Sequence, residues 1–383
     1  MATVELKGNF YFFFEIGGNS TFADGGGGII SFIMEEWTGG SLPQFEFIFT
    51  TSDFDILKHV NEGSSISCTY GKSPDDTDTI QLMVQKFAYN LVDSQYLKIV
   101  LKGFIGTTTH LQKCEIKGWQ GKTSLDVIKD VAGIDYKVKS KATTPSDSQN
   151  WIRYNISSNR FIQEVWEHSF ISDTNFLVYA INRNSEFLID DYENVTAGTE
   201  KWVFCSDESK GNKIAMDPNY TISSNHGLIN NIAVYERERR VFDIEKGGKD
   251  EKVTTPSKKP ILASGSKLNV HTKDPKNYGK VRSKHEAIHS NYHKAYYNNI
   301  SKIALHGITE IEILTDSEYK EYELFDLAKF ENFELDSQSS KDTELLAGLF
   351  IITRISRFYS GGRFRTSITL SKDAMNNIKG SLK

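Results

Sequence analysis

Residues 44–50 of the chain read Gln-Phe-Glu-Phe-Ile-Phe-Thr, and Phe45, Phe47 and Phe49 fall on every second position. A period of two is typical of a β-strand that has one buried and one solvated face. Residues 97–102 repeat the pattern, with Leu and Ile on the odd positions and lysines among the even ones. The N-terminal part of the chain is therefore predicted to be strand-rich, forming a small barrel or sandwich.

The same patterning returns near the C-terminus. Phe364, Thr366, Ile368 and Leu370 alternate with arginine, serine and threonine residues. The pair Gly361-Gly362 stands where a hairpin would turn from the preceding apolar run into this strand. There is no exact internal repeat, but strand patterning at both ends of the chain predicts two strand-rich units.

The middle of the chain changes character. Residues 123–126, Thr-Ser-Leu-Asp, have the form of a capping box that opens a helix, and Gly133 is placed to end that helix. A second helix is predicted to start near Ser157, and residues 176–181 are apolar on both faces, as in a covered strand. These features predict an inserted α+β unit.

The predicted fold class is α+β, mainly β. Residues 246–266 are rich in Gly, Lys, Pro and Ser, which is typical of a linker or a long solvated loop. A helix is predicted at about residues 277–298. The predicted division is 1–112 for the first strand-rich unit, 113–200 for the inserted α+β domain, 201–245 for strands that return to the barrel region, 246–266 for the linker, and 267–383 for a helix and the second strand-rich unit.

Size, charge and cysteine content narrow the class of protein. The chain has 383 residues, which is the size of two or three domains, and a formal net charge of only −5. A net charge this small and negative does not produce the positive electrostatic potential with which proteins bind nucleic acid. Cys68, Cys114 and Cys205 have no paired spacing, which predicts reduced thiols made in a cytosol. No apolar run approaches the roughly 20 residues of a membrane span, and no signal peptide is present, so we expect a soluble product.

The sharpest catalytic motif is His285-Glu286-Ala287-Ile288-His289. It fits the zincin pattern of two histidine ligands one helical turn apart with a glutamate base between them. On a straight helix His293 would lie about 12 Å from His285, too far to share one ion. The third histidine of the extended pattern is absent, and neither Glu310 nor Glu312 is marked as a third ligand.

A structural interpretation of this segment is favoured. Val281, His285, Ile288, Tyr292 and Ala295 form one apolar stripe at helical spacing, so the histidines are predicted to pack against a core or an interface. We therefore predict a protein that is not an enzyme, with no catalytic residue, no metal ligand and no cofactor.

Three short clusters of residues resemble ligand-binding motifs only in part. A run of glycines lacks the Lys-Ser/Thr of a phosphate loop and is predicted to be a hairpin tip. A trio of aspartates lacks the Gly and distal Glu of a calcium loop. A trio of arginines is interrupted by glutamates, which favours a charged sheet face or subunit contact. The groups are Gly25–Gly28; Asp75, Asp76 and Asp78; and Arg237, Arg239 and Arg240.

Four stretches carry a family resemblance. Residues 44–71 run from a strand through a short helix into a second strand, residues 119–133 open a helix with Thr-Ser-Leu, residues 149–180 lead from Trp-Ile to a buried strand, and residues 324–374 end in Leu-Ser-Lys-Asp-Ala. In this order they resemble the baseplate hub family of contractile-tailed phages and related injection machines, which includes the phage late-control proteins.

The resemblance implies a scaffold with two tail-tube-type β-barrel domains and an inserted α+β domain. Three chains would form a ring that adapts the sixfold tail tube to the threefold central spike around the DNA channel. The implied partners are the other copies of a homotrimer, the central spike protein, the tail tube or tube-initiator protein and the tape-measure protein. DNA would pass without specific binding, and no membrane is involved. The implied location is the virion tail baseplate, after synthesis in the host cytoplasm.

Some features depart from the family pattern. Relatives in secretion systems often continue into a spike domain, whereas this chain ends at Lys383, so we expect a separate spike protein. The lysine-rich stretch 246–259 and the histidine-rich stretch 285–293 match no family feature.

Two alternatives stay open. One is a zinc metallopeptidase, which would hold metal and lose activity on Glu286→Gln. The other is the tail-tip hub of a non-contractile phage, which normally has a longer C-terminal extension.

Overall fold

Strands make up most of the described structure. A computed structural model describes residues 4–6, 10–16, 28–73, 75–106, 109–205, 214–216, 220–224, 237–243, 249–255, 287–307, 309–315, 322–331, 348–360 and 363–373. The strands are β1 (Val4–Leu6), β2 (Phe10–Ile16), β3 (Ile29–Trp37), β4 (Gln44–Thr51), β5 (Ser65–Ser73), β6 (Asp76–Leu91), β7 (Leu97–Ile105), β8 (Cys114–Lys122), β9 (Lys137–Ser140), β10 (Gln149–Ser157), β11 (Leu177–Ile181), β12 (Glu186–Asp191), β13 (Trp202–Cys205), β14 (Ile214–Ala215), β15 (Thr221–Ser224), β16 (Arg237–Asp243), β17 (Lys249–Thr255), β18 (Thr309–Thr315), β19 (Leu327–Glu331), β20 (Leu349–Ser360) and β21 (Arg363–Lys372). The helices are α1 (Ile56–His59), α2 (Thr109–Gln112), α3 (Ser124–Ala132), α4 (Ser158–Glu167), α5 (Tyr192–Thr196) and α6 (Tyr292–His306). The predicted mainly β class is confirmed.

The large sheet joins the two ends of the chain. Its strand order within the described residues is β1-β2-β5-β6-β7-β4-β3-β20-β19-β13-β14, while β21 pairs with β20 and β18, and β18 pairs with β15. Strand β20 makes the junction, because residues 354–360 pair with β3 and residues 349–351 pair with β19. The strands predicted as two units therefore share one hydrogen-bonded path, and β13 to β15 belong with the C-terminal strands.

Period-two alternation decides which side chains form the first core. Phe45, Phe47 and Phe49 are all buried, as predicted. The ring of Phe47 stacks on Phe14 at 3.9 Å and on Phe49 at 4.6 Å between centroids. Each fully buried aromatic ring contributes about 1.5–3 kcal/mol through the hydrophobic effect. A second cluster, which includes Ile355 and other C-terminal strand residues, forms beside β18 to β21.

The predicted elements of the middle segment are confirmed. Helix α3 begins after Thr123, whose side chain accepts a hydrogen bond from the Asp126 N–H at 3.2 Å, and it ends at Gly133. Helix α4 begins after Ser157, which accepts from the Arg160 N–H at 3.3 Å. Every residue of β11 is buried. Around these helices lie the β8–β10 ribbon and the sheet β11-β12-β9.

Two sequence predictions are wrong. The segment 249–255, part of the stretch 246–266 predicted as a linker or long loop, is strand β17 and pairs with β16, and its Val and Thr residues favour a strand. The rest of that stretch lies outside the described residues. The helix predicted at 277–298 begins only at Tyr292 in the described part of the chain. Ala287 has a φ of 46°, which is incompatible with a right-handed helix at that position.

A buried network of charges connects distant parts of the fold. Glu36 on β3 accepts a hydrogen bond from Arg357 on β20 and, at 2.6 Å, from the backbone N–H of Arg183 in the β11–β12 turn. Arg357 also donates to the Tyr322 carbonyl at 2.9 Å, and Arg183 reaches Asp78 on β6 at 3.7 Å. Glu36 and Arg357 are at most 2% exposed. The network therefore orients the inserted α+β segment relative to strands from both ends of the chain.

Lys372, the last residue of β21, is a buried cation. Its ammonium lies 5.2 Å from the centroid of the Phe350 ring, and the side chain is fully buried. Burial lowers the pKa of Lys372 to about 8, although the charge of Asp373 acts in the opposite direction. This group therefore links folding to proton release at alkaline pH.

We predict that the stability of the wild type and of Lys372→Met will diverge as pH rises from 8 to 10. In that range the unfolded chain keeps a proton on Lys372 that the folded chain has released, so the wild type gains up to about 1.4 kcal/mol per pH unit that the variant lacks. Urea unfolding of both proteins at several pH values measures the difference. Parallel pH dependence in the two proteins would contradict the assignment.

No helix among the described residues combines the length and the apolar character required to cross a membrane.

Candidate assembly surface

The side chains on the core-facing side of β6 extend beyond the part of the strand where they are buried. Leu82 and Val84 are buried, whereas Tyr89 and Leu91 are 56% and 58% exposed. A bulge between Val84 and Lys86 shifts the alternation, so that residues 87, 89 and 91 lie opposite buried residues of β7. Large apolar side chains that are exposed on a core-facing row mark a candidate interaction site.

The same part of β6 has an unpaired backbone edge. Strand β5 pairs with β6 only as far as Met83. The Gly63 N–H then donates to the Val84 carbonyl at 2.7 Å, and the Val84 N–H donates to the Ser64 carbonyl at 2.9 Å. From residue 85 to residue 91, β7 is the one strand that pairs with β6 within the described chain. An unpaired edge of this kind is a template for another strand.

We call this region the hairpin surface: the β6 edge at residues 85–91 with the side chains of Phe87, Tyr89 and Leu91. The turn that contacts Val84 follows helix α1. Residues 53–62, which include that helix, carry three carboxylates and one lysine, a net charge of −2 with histidine neutral. The hairpin surface is therefore apolar with an acidic rim.

A second apolar surface lies on the β8–β10 ribbon. Ile116 and Tyr154 are directly opposite each other across the two strands and are 75% and 52% exposed. On the other face of the ribbon, Trp119 and Trp151 form a buried cross-strand pair. We call the outer face, formed by Ile116, Tyr154 and the half-buried Ile152, the ribbon surface.

The end of the ribbon is held by a buried arginine. Asn155 has a φ of 48° and lies in a bulge between Tyr154 and Ile156. The Arg153 guanidinium donates to the Ile156 carbonyl at 2.8 Å and to the Lys113 carbonyl, which fixes both strands around the bulge. Bulges redirect neighbouring side chains. The exposed Tyr154 therefore projects from a rigid backbone.

The structure describes only part of the candidate zinc motif, and that part is not helical. His285 and Glu286 lie outside the described residues, and His289 precedes α6. The His289 backbone N–H donates to Gln149 Oε1 at 3.2 Å, and its Nε2–H donates to the His168 carbonyl at 3.0 Å. Within the part of the chain that the structure describes, no group of His, Cys, Asp and Glu could hold a metal ion.

His289 lies in a packing contact between the segment before α6 and the inserted α+β segment. Asp147 accepts hydrogen bonds from the Ser124 N–H at 3.0 Å, the Ser124 hydroxyl at 2.5 Å and the Phe170 N–H at 2.8 Å. Burial raises the pKa of the Asp147 carboxyl and lowers the pKa of His289, while the attraction between the two groups opposes the shift in each. Ser124 is fully buried and donates to a carboxylate, so it is not placed as a nucleophile.

The remaining candidates are not brought together as ligand sites. Gly28 donates to Thr50 Oγ1 at 3.0 Å and leads into β3, not a helix; the other three glycines of its run lie outside the described residues. Asp78 faces Arg183, while Asp75 is exposed. Glu310 and Glu312 lie on β18, and the arginine trio lies on β16, whose side chains are outside the described set.

A cavity of about 440 Å³ lies between the β3–β4 loop and α4. Its floor includes Trp166 and Tyr179. The polar side chains at its mouth bind within the chain: Asn159 donates to the Gly40 carbonyl at 3.1 Å, and Gln163 donates to Glu167 at 3.0 Å. With these groups already engaged, the cavity lacks the convergent polar groups of a small-molecule site.

Sequence reasoning missed both apolar surfaces. A signal was present for the hairpin surface, because Phe87, Tyr89 and Leu91 fall on alternate positions. The ribbon surface had no comparable signal. Ile116 and Tyr154 are separated by 38 positions, and only the strand register places them opposite each other.

Comparison with known proteins gives a match in structure but not in sequence. No protein-family model and no curated protein matches the chain. A tail protein of Neisseria meningitidis MC58 superimposes with a TM-score of 0.59 and 10% identity, over 96% of this chain and 97% of its own. A 43 kDa tail protein of prophage MuSo2 from Shewanella oneidensis has a TM-score of 0.60 and 10% identity, over 94% and 98%.

This chain has a phage tail-protein fold. The resemblance to tail hub proteins that the sequence indicated is confirmed at the level of fold. A component of the E. coli type VI secretion system, described as structurally similar to the T4 bacteriophage tail proteins gp27 and gp5, shares the tail-protein fold with a TM-score of 0.51 and 11% identity, over 94% of this chain and 76% of its own. At such identities the tail-protein fold itself is what is established.

Proposed function

We propose that this chain is the structural hub of a contractile phage-tail baseplate. Three copies form a ring that adapts the sixfold tail tube to the threefold central spike, and DNA passes through the ring without specific binding. The observation that carries the proposal is the extent of the structural match: two phage tail proteins correspond to this chain over more than nine tenths of both lengths. A match of that extent concerns the whole architecture and not one shared motif.

The architecture is consistent with this role. The first hydrophobic cluster belongs to the strands of residues 1–112 and the second to the C-terminal strands, and a further cluster includes the helices of residues 113–200. We interpret the two strand clusters as the cores of two tail-tube-type β-barrels and the intervening segment as the inserted α+β domain. Unpaired apolar strand surfaces supply contacts for neighbouring subunits.

The proposed partners are the other copies of a homotrimer, the central spike protein, the tail tube or tube-initiator protein, and the tape-measure protein. The location is the tail baseplate of the virion. The protein acts by its geometry and not as an enzyme, and the irregular backbone around Ala287 and His289 disfavours the metallopeptidase alternative.

The test is the mass and shape of the purified protein, alone and mixed with the spike protein of the same phage. We expect light scattering to give the mass of a trimer in at least one of these conditions, and electron micrographs to show rings with a central hole. A chain that stays monomeric alone and also with the spike protein would contradict the hub assignment.

A further inference from the structure

A closed ring places two different surfaces of one chain in contact. In a threefold ring of identical chains every interface is heterologous, so one side of a subunit meets the opposite side of its neighbour. A subunit of such a ring therefore carries two distinct surfaces that its own fold leaves uncovered. The hairpin surface and the ribbon surface have this property.

We propose that the hairpin surface of one copy binds the ribbon surface of the next copy. This inference rests on the proposed ring and identifies its subunit contact. Tyr89 and Leu91 on one copy would be covered by Ile116 and Tyr154 of the neighbour, so that the exposed apolar side chains on both surfaces leave water together.

Backbone geometry supports this pairing. Among the described residues, no strand pairs with the N–H and C=O groups along one edge of residues 85–91 of β6. Strands β8 and β10 pair with each other alone within the described residues, so each keeps a free edge. An edge of the ribbon beside β6 would extend the sheet of the neighbour, and strand addition of this kind supplies affinity through main-chain hydrogen bonds.

Charge complementarity selects the neighbour's ribbon as the occupant. The acidic rim beside the hairpin surface, residues 53–62, has a net charge of −2. Residues 113–122, which comprise strand β8 of the ribbon and the lysine before it, carry three lysines and one glutamate, a net charge of +2. Opposite charges favour hairpin against ribbon, while like charges disfavour hairpin against hairpin and ribbon against ribbon. The contact is therefore directional, as a closed ring requires.

Two single substitutions test the pairing, one on each surface. Leu91→Arg places a positive charge where the lysine-rich ribbon would lie, and Ile116→Glu places a negative charge where the acidic rim would lie. Each variant keeps one surface intact. We expect each variant alone to have the mass of a monomer under conditions in which the wild type is a trimer, with the spike protein present if the wild type requires it.

An equimolar mixture of the two variants gives the decisive result. The intact ribbon of the Leu91→Arg chain can bind the intact hairpin surface of the Ile116→Glu chain, and the two altered surfaces carry opposite charges and can also face each other. We therefore expect the mixture to regain at least the mass of a dimer with one copy of each variant in light scattering. A mixture that stays monomeric, or variants that keep the wild-type mass, would overturn the pairing.

Controls separate this inference from the proposed function. Ile134→Glu changes another exposed apolar residue outside both surfaces and should keep the wild-type mass. Far-UV circular dichroism spectra of all variants should match the wild type, because the replaced side chains are exposed and their replacement leaves the fold intact. If the wild type forms rings and both variants also form rings, the pairing is wrong and the hub proposal stands. If the wild type forms no ring with or without the spike, the hub proposal itself fails.

Discussion

Replacement of Glu36 by glutamine is expected to lower the free energy of unfolding by about 3–5 kcal/mol, the effect typical of breaking a buried ion pair. Arg357 and Arg183 would remain buried after the carboxylate that faces both of them is neutralised. Water cannot replace the lost partner, because Glu36 is 2% exposed and Arg357 is 1% exposed. The size of the effect therefore comes mainly from the buried charge of Arg357, which loses the carboxylate that faces it.

The measurement is urea unfolding followed by circular dichroism, with Glu35→Gln as the matched control. Glu35 is the preceding residue on β3 and pairs with Arg354 at 2.6 Å, but the two side chains are 26% and 41% exposed. Solvent screens such a pair, so the control should lose at most about 1 kcal/mol. Equal losses for the two variants would show that Glu36 does not have the role assigned to it.

Replacement of Trp151 by alanine is expected to cost about 3–5 kcal/mol of unfolding free energy. Trp151 is completely buried on the inner face of the β8–β10 ribbon, opposite Trp119. Its Nε1–H donates to the Lys122 carbonyl at 2.9 Å. Truncation would leave a cavity beneath the ribbon and an acceptor without its donor, so the ribbon would lose its attachment to the core.

Tyr154→Ala, on the same strand, is the matched comparison. Its side chain is on the outer face and half exposed, so stability should change by no more than about 0.5 kcal/mol. If the ribbon surface contacts a neighbouring copy, Tyr154→Ala should weaken assembly even though the monomer stays as stable as the wild type. Thermal unfolding and light scattering of the two variants measure the contrast. A loss of stability in Tyr154→Ala as large as in Trp151→Ala would contradict the assignment of inner and outer faces.

The buried charge network depends on contacts between residues that are far apart in the sequence. Glu36 and Arg357 are separated by 321 positions and meet because β20 pairs with β3. Arg183 joins them from a turn in the inserted segment. In the sequence these residues look like ordinary charged positions on strands and turns, and only the register of distant strands makes them a single buried group.

The zinc motif is the reverse case, in which a local sequence pattern indicates a site that the described structure does not support. The spacing from His285 to His289 is correct for two ligands on one helix, yet α6 begins at Tyr292 and Ala287 adopts a positive φ. His289 uses its backbone N–H and its ring to contact the inserted segment. Helical spacing creates a ligand pair only where a helix forms, and the described residues 287–291 of this segment are not helical.

Local patterns in the sequence were sufficient for the elements themselves. Alternating phenylalanines at 45, 47 and 49 identified a half-buried strand, and the caps at Thr123 and Ser157 located two helices. Strand alternation and helix caps depend only on a residue and its near neighbours in the chain, and these can be read directly from the sequence. The tertiary structure alone decided which apolar residues stay exposed. Tyr89 and Leu91 lie opposite buried residues of β7, yet both side chains are more than half exposed, because burial depends on what another part of the chain places beside a residue.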